Sequence, residues 1–155
     1  MAEPVLTMRI EGLETLQKAL ADPELVKGPI RDALTRAGLT VEARAKQKAP
    51  VDTGRLRASI ATRVEETRAV IGTPVGYAPY VELGSKPHFP PPSALATWAR
   101  RHGFGPRGEW ALARAIAKRG TKAHPFLVPA LLESKPDIEG FLRDAARQIE
   151  AKWGK

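Results

Sequence analysis

The stretch "APVDTGRLRASIATRV", residues 49–64, is where the hydrophobic period of the chain changes, and its reading decides the fold. Upstream of it, Leu25, Ile30, Ala33, Leu34, Ala37, Val41 and Ala45 recur at steps of three and four, while Arg31, Arg36, Glu42, Arg44 and Lys46 fall mostly elsewhere. That spacing predicts a long amphipathic helix with one core-facing stripe. Gly28-Pro29 places its regular start at Pro29, where a missing N–H costs nothing, and Pro50 forces the exit. Downstream, Leu56, Ala58, Ile60, Thr62 and Val64 alternate with Arg55, Arg57, Ser59, Ala61 and Arg63, the period of a strand with one buried and one wet face. Between the two periods, Pro50, Asp52, Thr53 and Gly54 form a structural turn. Asp52 or Thr53 can accept from nearby backbone N–H groups, and Gly54 permits positive φ.

Working outward, Glu65 to Arg68 make a polar turn and "AVIGT", Ala69 to Thr73, supplies a second strand, so the pair is a hairpin that Pro74 and Gly76 end. Val5 to Ile10 is a candidate opening strand, and Leu13, Leu16 and Leu20 mark a short helix closed by Asp22-Pro23. "YAPYVELGSKPHFPPP", residues 77–92, is a proline-rich connection too apolar for a solvated linker. Helical stretches follow from Ser93 to Gly103 and from Glu109 to Lys118, the second capped by Gly120. "HPFLVPALLES", residues 124–134, turns the chain into a terminal helix bearing Ile138, Phe141, Leu142, Ala145, Ile149 and Trp153. The pattern predicts one α+β domain over residues 1–155: a small antiparallel sheet with a hairpin, packed against a long helix and a C-terminal helix. A basic helical elaboration occupies about residues 93–122.

The 155 residues carry 25 lysines and arginines against 17 acids, a net charge of +8, so the surface attracts polyanions or an acidic partner. The excess is local. From Gly84 to Ala130 there are eight cations, Lys86, Arg100, Arg101, Arg107, Arg114, Lys118, Arg119 and Lys122, and one acid, Glu109. Interleaved with Trp98, Phe104 and Trp110, they form a candidate contact for DNA or an acidic protein. The absence of cysteine excludes disulfides, thiolate catalysis and cysteine-ligated metals. The opening "MAEPVLTMRIEG" has no apolar run of signal-peptide length, and no window approaches 18 apolar residues, which implies a protein made and kept inside a cell, away from membrane.

Catalytic patterns fail on context. Asp-Thr-Gly at 52–54 is the tripeptide of aspartic proteases, but there it follows an apolar strand and two copies share a proton. Here a helix precedes it and only one copy is present, so a homodimeric protease is a minor alternative. "GFGPRG", residues 103–108, matches a dinucleotide fingerprint by letters, yet it follows a helix rather than a strand. His88, His102 and His124 are too widely spaced for a metal motif, and no serine sits in a nucleophile elbow. No catalytic, metal or cofactor-binding residues are assigned.

Three blocks in order, "ARAKQKAPVDTGRLRASI" (43–60), "GYAPYVELGS" (76–85) and "HPFLVPALLES" (124–134), resemble the tail-component or neck protein family of lambdoid tailed bacteriophages. The resemblance implies a non-enzymatic α+β virion protein, made in the host cytoplasm. It would assemble as a homo-oligomeric ring at the head–tail joint or tail end and complete or attach the tail. Implied partners are the connector or adaptor and tail-tube or tail-terminator proteins, with packaged DNA in the lumen. Tyr77, Tyr80, Glu82, Lys86, His88, Phe89, His124 and Phe126 are then candidates for the oligomer or partner interface, with Glu82 facing cations of a neighbouring copy. The alternative function is a DNA-binding protein without sequence preference, acting through residues 86–122.

Overall fold

A computed structural model describes residues 6–10 and 23–153, and the fold is α+β. In chain order the elements are β1 (Leu6–Ile10), α1 (Pro23–Lys48), α2 (Arg55–Ser59), β2 (Ala61–Val64), β3 (Ala69–Thr73), α3 (Ala78–Leu83), α4 (Pro92–Arg101), α5 (Gly108–Arg119) and α6 (Leu127–Trp153). They divide into two compact units. A helix–sheet unit holds residues up to Ala78 and from Pro125 onward, and a lobe holds Pro79 to His124. The short helix expected on Leu13, Leu16 and Leu20 lies outside the described residues.

In the helix–sheet unit the strands are ordered β1-β3-β2 and all pairs are antiparallel. The hairpin is closed at Val64↔Ala69, with Glu65 N–H donating to the Arg68 carbonyl at 2.8 Å. Central β3 is buried at every position, whereas edge strand β2 alternates, exposing Ala61 and Arg63 and turning Thr62 and Val64 inward. In the turn, the Arg68 and Arg63 guanidiniums bond Glu65, and the Arg68 bond above all holds its carboxyl below the usual carboxylate range.

Helix α1 buries Val26, Ile30, Ala33, Leu34, Ala37, Val41 and Ala45, the expected stripe from Ile30 onward with Val26 added, the Leu25 side chain lying outside the described ones. It begins at Pro23, however, not Pro29. The earlier proline already occupies the first helical position, and Pro29 is carried inside the helix, buried. The tightest approach to the sheet is at Gly38. Its carbonyl accepts from Thr62 Oγ1 at 3.0 Å, and a methyl group on Gly38 would overlap Thr62 Cγ2. Four residues on, burial pushes the Glu42 carboxyl up, but bonds from Lys46 and from Thr62 outweigh it and hold the group below its ordinary range.

Helix α6 packs along α1 with the chain running the opposite way, as the bridging pairs show: Lys48 with Glu133 at 2.7 Å, Arg44 with Asp137 at 2.6 Å, Arg36 with Asp144 at 4.0 Å. Arg44 also donates to Ser134 Oγ at 2.7 Å, and the buried Ser134 hydroxyl donates in turn to the Ala130 carbonyl at 2.7 Å. Arg36 lies over the Phe141 ring, 4.2 Å from its centroid. The segment 127–134, expected to turn the chain, is instead the start of this helix. Pro129 falls in the first turn, where N–H groups have no helical acceptor in any case.

A second correction concerns the deciding stretch. Leu56 does not begin a strand, because residues 55–59 form the helical turn α2, and the strand begins at Ala61. Gly54, at φ 79°, redirects the chain, Ala58 N–H bonds the Gly54 carbonyl at 2.9 Å, and Ser59 Oγ bonds the Leu56 carbonyl at 2.8 Å. Leu56 and Ile60 are both buried, four residues apart, a separation that one face of a helix and one face of a strand satisfy alike. Ala58 distinguishes them, and it is exposed.

Gly38→Ala gains about 1 kcal/mol of helix propensity but forces the β-branched Thr62 off its rotamer, so stability should fall by roughly 1–2 kcal/mol net in urea unfolding. Adding Thr62→Ser, which removes the clashing methyl and keeps the hydroxyl, should restore it. Glu42, with its carboxyl depressed in the fold, contributes stability that is complete above its unfolded value of about 4.3 and is lost as pH falls through the folded one. Glu42→Gln should therefore flatten the acid limb of a stability–pH curve and lower the plateau near neutrality.

Candidate functional site

The lobe is an excursion whose two ends meet. Ser85 and Thr121 form an antiparallel bridge, each N–H donating to the other's carbonyl at 3.2 Å. Thr121 Oγ1 adds a bond to Ser85 Oγ at 3.0 Å, and His124 N–H bonds the Val81 carbonyl at 2.7 Å. The bridge requires glycine at 120: φ there is 72°, and a methyl group would coincide with the Ser85 carbonyl.

Between these ends α4 and α5 pack on each other through small residues, with Ala99, Gly108 and Ala113 buried and no large apolar side chain of either helix fully so. The large ones remain at the surface. Trp98 stacks on His102 at 4.0 Å between centroids and lies 5.7 Å from Phe104, and Trp110 lies 6.5 Å from Phe89. All four aromatic residues other than histidine are exposed, Trp110 by 48 %. Sequence reasoning interleaved these rings with the cations as a candidate contact surface, and their exposure is consistent with that. The signal that they stay exposed is that the helix positions buried between α4 and α5 are alanine and glycine, which leave little room for a large ring.

Cations surround these rings. Lys86, Arg100, Arg101, Arg107, Arg114, Lys118, Arg119 and Lys122 are all exposed. In the helix–sheet unit, by contrast, Glu42, Glu65, Glu133, Asp137 and Asp144 each meet a lysine or arginine of the same unit. A shallow cleft of about 480 Å³ follows one side of α5, floored by Leu112, Ala115 and Ile116 with Arg119 and Lys122 at its rim.

Of the candidate interface residues, Tyr80, Lys86 and His88 line one depression of about 380 Å³ in the lobe, and Phe89 is exposed beside Trp110. Tyr77 is exposed in the helix–sheet unit, and His124 is exposed in the lobe. Two candidates differ. Phe126 is wholly buried, the largest such side chain in the chain's described core, and Glu82 is 3 % exposed. Glu82 thus offers no carboxylate to a neighbouring copy. Among the described residues no buried side-chain oxygen or nitrogen lacks a hydrogen-bond partner, so its burial is compensated within the chain. Leu83, unassigned by sequence, is the most exposed large apolar residue among the described ones at 73 %, and Val128 and Leu132 stand exposed one turn apart on α6.

Asp52 and Thr53 lie in the exposed connection between α1 and α2, where Thr53 Oγ1 accepts from the Arg55 N–H at 3.4 Å. Among the described residues no three histidine, aspartate or glutamate side chains cluster to hold a metal ion, and no helix is long and apolar enough to cross a membrane.

The fold is thus a helix on a small antiparallel sheet, and the lobe carries exposed apolar and cationic side chains. Residues 12–84 match the family described as "Bacteriophage HK97-gp10, putative tail-component". The resemblance drawn from the motifs is borne out over that part of the chain, which runs through α1, the Asp52–Gly54 turn and the hairpin and stops one residue short of the Ser85 bridge. No curated protein and no solved structure matches the chain significantly.

Gly120→Ala should open the base of the lobe while leaving the helix–sheet unit intact. Hydrogen exchange at the Ser85 and Thr121 amides should accelerate by at least tenfold, and protease should cut first within residues 86–119.

Proposed function

We propose that this protein is a structural virion component of a tailed phage, which closes into a homo-oligomeric ring at the head–tail neck or tail end, completes or attaches the tail, and performs no covalent chemistry. The observation that carries the reading is the tail-component match over residues 12–84. A ring subunit presents two different patches, one of which meets the other on the next copy, and rotation sets closure. Two such patches are available. Tyr80, Leu83 and Phe89 stand exposed on a segment stiffened by Pro87 and by Pro90 to Pro92, which limits the entropy lost on docking. Val128 and Leu132 offer a second, on the opening turns of α6. The remaining surface serves the connector or adaptor on one side and tail-tube or tail-terminator proteins on the other, so the mature location is the virion.

Native mass spectrometry of the purified chain, alone and with the connector, should give a closed multiple of the 16.8 kDa subunit. Leu83→Asp and Leu132→Asp should each return it to monomer with the helical circular dichroism unchanged. Particles made without the protein should show unjoined heads and tails by electron microscopy; joined, infectious particles would overturn the reading.

A further inference from the structure

The outer face of α5 is the most one-sided feature of the lobe. At 100° per residue, Arg114 and Lys118 fall within about 40° of each other along the helix, Trp110 flanks Arg114 on the same face, and Arg107 stands at the N-cap just before the first helical residue. All four side chains are exposed, and Glu109, the lobe's one other charged group on this helix's first turn, points to the opposite side. No carboxylate among the described residues pairs with the three cations. Arg107 adds a further observation: it is the sole non-glycine among the described residues with a positive φ, 65°, at a position where glycine would be unstrained. Backbone strain retained at a charged, exposed residue points to a use for its side chain.

We propose that this face tracks the phosphate backbone of duplex nucleic acid without reading sequence. Arg114 and Lys118 stand roughly 6 Å apart along the axis, a spacing that lets both reach phosphates of one strand, with Arg107 at the end of the helix. Trp110 lies beside the track, where its ring can rest on the sugar edge or an open base. A second copy of this chain is a poor occupant. Among the described residues its carboxylates at Glu42, Glu65, Glu133, Asp137 and Asp144 already serve its own cations. An acidic polypeptide is disfavoured because the stripe lacks an apolar floor; Leu112 and Ile116 line the other side of α5.

The test uses the full chain and a random-sequence duplex, with binding followed by tryptophan fluorescence between about 50 and 200 mM salt, where phosphate contacts lose orders of magnitude in affinity. Affinity should fall steeply with salt, and the triple variant Arg107→Gln, Arg114→Gln, Lys118→Gln should lower the log–log slope by about 2.7, at 0.9 per phosphate lost. Trp110→Ala should weaken binding with the slope unchanged. Arg107→Gly keeps the test open if the triple variant folds poorly: relieved of strain, it should melt higher than the parent and still bind DNA more weakly. Leu132→Asp, monomeric on the ring reading, should retain the salt-dependent binding, so failure of one proposal is distinct from failure of the other. No binding at the lowest salt, an unchanged slope in the triple variant, or equal affinity for polyglutamate of matched charge would overturn the inference.

Discussion

A helix can lie against a sheet closely enough for its backbone carbonyl to be bonded by a strand side chain only where the helix itself presents no side chain. Gly38 meets that condition. The Thr62 hydroxyl reaches its carbonyl, and the depth at which α1 sits on β2 and β3 follows from it. With α1 so seated, its other face is left for α6, and the row of arginine and lysine pairs from Lys48 to Arg36 fixes the pairing of the two helices. Exposed pairs of this kind add little energy individually. Their role is register, while burial of Ile30, Leu34, Val41, Phe126 and Leu127 supplies the stabilisation.

Much of this was legible in residue order. The α1 stripe and the hairpin were readable because each repeats a period over enough positions to exclude the other. Around residues 56–60 the signal was ambiguous in kind, since two anchors four apart fit either period, and only the exposure of Ala58 separates them. Prolines misled twice for a shared reason. A proline marks a helix start only if no better start precedes it, and Pro23 precedes Pro29; a proline in a first helical turn, such as Pro129, interrupts nothing. The burial of Glu82 was not legible, because its chain neighbours Tyr80 and Leu83 are exposed, and that of Phe126 was not, because it lies between exposed Pro125 and the start of a helix that the sequence pattern placed further on. No local pattern distinguishes them.

The two units handle charge differently. The helix–sheet unit sets carboxylates beside its cations and turns its charge into internal contacts, as at Arg44 with Asp137 and at Glu65 with Arg68. The lobe carries its cations and its aromatic rings exposed, with small residues buried between its helices. A surface with that composition is attracted to whatever anion comes within a Debye length, and it holds best where rings as well as charges find contacts.

The bridge between Ser85 and Thr121 brings the entry and exit of the lobe within a single pair of peptide bonds of each other. A chain closed at the neck in this manner can be lengthened, shortened or exchanged beyond that point without altering the distance its flanking segments must span. Insertions or deletions within residues 86–119 would therefore leave the bridged ends where they are.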